Sequence, residues 1–166
     1  MTMRNATWLI TLLGIGIVMP LRAEYAAVEW PELMPEEDLK TLETMPEMSH
    51  DGNNPVELPE SIRAGRVVPE FDGRRIRLSG FVVPLEFDDT KLVTEFFLVP
   101  YFGACIHVPP PPPNQLIHVT YPEGIQVEVL YDPYQIKGTL RVERVSNDIG
   151  EASYTMKADT VAPHPQ

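Results

Sequence analysis

The chain has 166 residues, with 24 Asp and Glu against 13 Lys and Arg and a formal charge of −11. Such a surface repels a phosphate backbone, which excludes nucleic acid as a partner. Its single cysteine, Cys105, rules out an internal disulfide, and the length suits one ordinary domain with a core of its own.

The first 23 residues read as a cleaved secretory signal: Arg4, an apolar run from Ala6 to Val18, then Pro20-Leu21-Arg22-Ala23 as the cleavage region. The apolar run is shorter than the roughly 20 residues a membrane span needs, so the expectation is a periplasmic protein with no stable membrane insertion after cleavage. Residues 24–69 form an acidic, proline-punctuated arm. One short helix is expected there, with Pro35 in its first turn, Glu36, Glu37 and Asp38 at its positive end, and Pro46 stopping it. Too short to stand alone, it needs Trp30, Leu33, Leu39 and Leu42 to dock it on the domain. Ser49 to Pro55 reads as an exposed loop.

From residue 70 to 162 the pattern is that of strands. Arg75 to Leu85 alternates polar and apolar residues, with Gly80 marking a bulge or sharp coil. Val93 to Val99 is nearly continuous in apolar residues and delivers the chain into the loop that holds Cys105. Leu116 to Tyr121 is the third strand, Pro122-Glu123-Gly124 a turn, and Ile125 to Leu130 a fourth strand. Gly138 to Val145 follows, with Leu140, Val142 and Val145 inward, then Ser153 to Ala158, with Tyr154, Met156 and Ala158 on one face. Residues 163–166 are a tail. Short strands with frequent turn signals and little helix predict a mainly β protein: a small barrel like that of oligonucleotide/oligosaccharide-binding (OB) folds, with a short helical N-terminal arm.

The loop between the second and third strands holds the chemistry. Tyr101-Phe102-Gly103-Ala104-Cys105-Ile106-His107-Val108 runs into five prolines, Pro109, Pro110, Pro111, Pro112 and Pro113, and then Asn114 and Gln115. In extended backbone Cys105 and His107 project to the same side. The prolines hold the following chain in a stiff polyproline II path and remove its amide donors. This block, with Gly80 to Leu85, resembles an uncharacterised family of small periplasmic proteins, and the likeness spans roughly Phe71 to Val161. The resemblance implies an OB-like barrel in the periplasm and, in some bacteria, a place beside zinc-regulated transport genes. It implies no activity.

Thiolate and imidazole suit Zn2+, with His118, a carboxylate such as Asp132, or a partner's side chain completing the set. A buried structural cysteine is the plainer alternative for Cys105, and a histidine satisfied within its strand the plainer one for His118. Tyr101, Phe102, the five prolines, Asn114 and Gln115 form a candidate ligand- or partner-binding loop. For Asn114 and Gln115 the competing role is to cap the loop's carbonyls; for Tyr101 and Phe102 it is core packing. A catalytic Cys105–His107 pair is disfavoured. Side chains two positions apart start roughly 6–7 Å from each other, and no third orienting group is evident. His50 and His164 read as solvated. The expectation is a non-enzymatic accessory protein, handling zinc beside an envelope transporter; the alternative is an interaction module built on the polyproline ridge.

Overall fold

A computed structural model describes residues 24–45, 58–104, 111–127 and 131–165. The expected signal segment, the Ser49 to Pro55 loop, His50, Cys105, His107, Pro109 and Pro110 lie outside these residues. So do residues 128–130 of the expected fourth strand.

The described residues form six strands: β1 (Ala26–Ala27), β2 (Arg75–Phe87), β3 (Val93–Val99), β4 (Ile117–Ile125), β5 (Tyr134–Ser146) and β6 (Glu151–Pro163). The last five close on themselves in the order β2-β3-β4-β6-β5, with β5 returning to β2. All neighbours in this ring are antiparallel except β4 and β6, which run parallel with Ile117 opposite Tyr154. This connectivity is that of a five-stranded OB-like barrel.

Closure depends on β2 serving two partners. Its first half, Arg75 to Gly80, pairs with β5, and from Phe81 it pairs with β3. Gly80 sits at the handover. A Cβ there would lie 2.6 Å from the Val99 carbonyl oxygen and 3.0 Å from the Trp30 ring, so only glycine admits both neighbours. The sharp coil expected at Gly80 is therefore present, while the bulge falls later, between Pro84 and Phe87.

Period-two alternation fills the barrel: Ile76, Leu78 and Val82 from β2, Phe96 and Leu98 from β3, Ile117 and Val119 from β4, Ile136 and Leu140 from β5, Tyr154 and Met156 from β6. A second, smaller cluster lies outside it, where Phe97 and Val99 of β3 pack with Ala104, Leu116 and Ala152. The continuous apolar run of β3 thus reflects burial on both faces.

Two expectations on the strands are corrected. Pro122-Glu123-Gly124 does not separate two strands; β4 runs through it to Ile125. Four residues of β4 bulge out against Thr94 alone, between the pairs Glu95–Thr120 and Val93–Ile125. Gly124 takes φ +68° there, with Leu92 so close that a Cβ would meet it at 2.6 Å. Ile125 ends β4, and it and Val127 pack against the core; residues 128–130 of the expected fourth strand lie outside the described residues. Val145 is half-buried and lines an outer groove instead of pointing inward, because β5 is irregular between Val142 and Val145.

The arm folds as α1 (Glu36–Thr44) and α2 (Glu60–Arg63), joined to the barrel by turns. Pro35 is the N-cap of α1, one position before the first turn, and Lys40 bonds Glu36 one turn back. Met45 is extended, as the residue before Pro46 must be. β1 adds to β2 in parallel, the Trp30 indole donates to the Ser79 carbonyl at 2.8 Å, and Leu33 is fully buried. Asp38, also fully buried, takes a hydrogen bond from Arg66 Nε at 2.9 Å. That bond is the main reason the Arg66 guanidinium is held above its ordinary pKa. No helix among the described residues is long and apolar enough to cross a membrane.

Candidate functional site

Because Ile117 and Val119 point into the barrel, His118 between them points outward. Its Nε2 lies 2.6 Å from Glu95 Oε1 on β3, and its ring meets the edge of Phe97, with centroids 5.9 Å apart. The imidazole is 12% exposed and the carboxylate 31%, so water screens this pair only in part. Phe97 belongs to the outer cluster that includes Ala104, the residue before Cys105. Ala104, the last described residue before Cys105, therefore clusters on the face that presents His118.

His118 also forms one edge of an open polar groove of about 540 Å³ across β4, β6 and β5, lined further by Thr120, Arg141, Glu143, Thr155 and Lys157. Asp132, the carboxylate considered as a further zinc ligand, is exposed and follows Tyr131, whose ring packs on Phe102 at 4.7 Å. Among the described residues no three His, Cys, Asp or Glu side chains converge as a metal cluster.

The rest of the loop divides in two. Pro111, Pro112, Tyr101 and Gln115 line an apolar groove of about 220 Å³ whose other walls are Trp30, Pro31, Met34, Leu39, Leu42, Leu58 and Pro100. Phe102 instead lies between Phe81 and Tyr131 as an exposed aromatic edge. Pro113 opens a short 3-10 turn and packs against Gly65, where φ is +58° and a Cβ would sit 2.6 Å from the proline ring. Asn114 is fully buried; its Nδ2 donates to the Arg66 carbonyl at 2.7 Å, while Oδ1 has no partner among the described residues. Gln115 Nε2 donates to the Trp30 carbonyl at 3.1 Å and also to the Asn114 carbonyl at 3.2 Å. Both amides tie the barrel to the arm. His164, expected to be solvated, is exposed but bonded: its Nδ1 lies 2.8 Å from Ser79 Oγ, and its backbone amide donates to the Pro133 carbonyl.

Sequence reasoning missed Glu95 as the partner of His118. The signal was a lone carboxylate inside the apolar run Val93 to Val99, where the buildup of a half-buried charge calls for a partner. It also missed the apolar groove, because its walls come from segments far apart in the chain.

A model of the family described as protein of unknown function (DUF3299) matches residues 30–163. The crystal structure of a DUF3299 family protein from Pseudomonas aeruginosa PAO1 is 35% identical, with a TM-score of 0.67. The similarity covers 86% of this chain and 98% of that one. No curated protein matches. From Trp30 to the end of β6 the sequence fits the family model, and the barrel matches a solved member along nearly that member's full length: the chain belongs to the DUF3299 family.

Proposed function

We propose that this protein is a non-enzymatic accessory protein of the periplasm that holds a zinc ion beside an envelope transporter, with Cys105 and His107 as the first two ligands and His118 as the third. The observation that carries the reading is the position of His118. It stands on the outer face of β4, its ring set by Glu95 and by Phe97, which clusters with Ala104, the residue before Cys105. A thiolate and two imidazoles are a good zinc set, and a carboxylate on the second nitrogen of a ligating histidine fixes its orientation. If zinc occupied Nε2, Glu95 would have to release that nitrogen and either join the ion or turn to solvent. Thiol labelling tests the proposal, because a metal-bound thiolate is protected until the metal is removed. Slow labelling of Cys105 in the native protein, accelerated by chelator, is the expected result. Labelling only in denaturant would make Cys105 a core residue, and fast labelling without chelator would favour thiol chemistry.

A second reading, an interaction module built on the proline run, is favoured by one observation: Pro111 and Pro112 form a wall of the apolar groove with Trp30.

A further inference from the structure

We infer that the groove between α1 and the proline run docks a peptide segment of another envelope protein, one that inserts a large apolar side chain and flanks it with Lys or Arg. The inference deepens the interaction reading and does not depend on the metal.

The groove is preformed. Trp30 is held by its bond to the Ser79 carbonyl, and its own carbonyl is held by Gln115. Pro31, Pro100, Pro111 and Pro112 add walls of fixed φ, so a guest finds a site that loses little conformational freedom on binding. Its volume of about 220 Å³ falls below the ~300–1,000 Å³ of small-molecule and cofactor sites and suits an inserted side chain. Leu39 and Leu42 of α1 remain only half-buried on its rim, which is unsatisfied apolar area on an otherwise charged helix.

Charge selects the guest. Between Glu24 and Met45 the arm carries seven carboxylates against one cation, Lys40, and six of the seven are exposed. At 3.6 residues per turn, Glu43 lies along one flank of Leu39 on α1, with Glu36, which shares its charge with Lys40, on the same side. Glu32 sits one residue after Pro31. A second copy of the chain would bring the same acidic arm to the contact, so like charges argue against self-association there. A basic segment gains from the same field.

Three synthetic peptides test this by NMR on the isotopically labelled protein: Lys-Lys-Leu-Phe-Leu-Lys-Lys, its counterpart with Glu in place of Lys, and Gly-Gly-Leu-Phe-Leu-Gly-Gly. The basic peptide should shift the Trp30 indole and Met34 methyl resonances and bind at least tenfold more tightly than the acidic one. Leu42→Lys should abolish that binding. Should Leu42→Lys disturb α1, the Glu36→Gln, Glu43→Gln double variant decides: it should weaken the basic peptide severalfold and leave the uncharged one unchanged. Equal binding of the basic and acidic peptides, shifts located away from the groove, or a dimer that produces the same shifts without peptide would each overturn the inference. Every arm is run with and without chelator, so loss of the zinc reading and loss of this one are separately visible.

Discussion

The hydroxyl of Tyr154, on β6, donates to the Leu33 carbonyl at 2.9 Å and accepts from the Val68 amide at 2.8 Å. One buried side chain on the last strand therefore fastens two separate points of the N-terminal arm to the barrel. Tyr154→Phe keeps the ring and removes the partner of a buried carbonyl and of a part-buried amide. The expected loss is about 1–3 kcal/mol, read by urea unfolding, with the arm released before the barrel. An unchanged midpoint would mean that water replaces the hydroxyl.

The same residue predicts an alkaline limb. Burial raises the Tyr154 pKa above its ordinary value, with the Val68 amide opposing in part and the Glu70 charge adding a further rise. A raised folded-state value means the stabilisation is complete below about pH 10, the unfolded value, and is lost as pH climbs through the folded one. Wild-type stability should fall above pH 10 more steeply than that of Tyr154→Phe. Parallel profiles for the two proteins would contradict the assignment.

Gly80→Val should be the most damaging single change outside the core. Its new Cβ meets a backbone oxygen, Val99 O, which cannot rotate away, and the Trp30 ring. Overpacking of this kind costs about 1–3 kcal/mol, and a red shift in Trp30 emission should accompany it as the indole is displaced. A native spectrum with native stability would refute the close approach.

Asn114 joins the proline run to the arm through Arg66. Asn114→Ala should cost about 1 kcal/mol, since the Arg66 carbonyl loses its donor while an unpartnered oxygen is removed as well. Asn114→Asp should cost more, because it buries a charge with no cation bonded to it. Thermal unfolding of the two variants side by side gives the order; the reverse order would mean that Oδ1 is the atom that matters.

Much of this fold was legible along the chain. Alternation located β2, and the unbroken apolar run gave β3 with its double burial. Pro35 and Pro46 bracketed α1 to within a residue or two. The ends of β5 and β6 were not legible. Each is 13 residues long; at one end Ser146 pairs with Glu151, polar on both sides, and at the other the core residue Ile136, opposite Val161, follows so closely on Asp132-Pro133 that it was read as part of the turn. The β4 bulge was read as a turn because proline, glycine and a carboxylate signal both alike. Within the site, His118 was named only as one of several options for a third ligand, and Glu95 pairs with it across a strand register that only closure of the sheet sets. The apolar groove was hidden for the same reason, as Trp30, Leu42, Pro100 and Pro112 meet only after the arm has docked.

Zinc titration of the reduced protein by calorimetry tests the central claim most directly. The account predicts one ion per chain, with proton release as Cys105 ionises, and loss of that binding in the Cys105→Ser, His107→Ala double variant. His118→Ala should weaken binding at least tenfold while the barrel stays folded by circular dichroism. Equal zinc binding by wild type and the double variant would contradict the account.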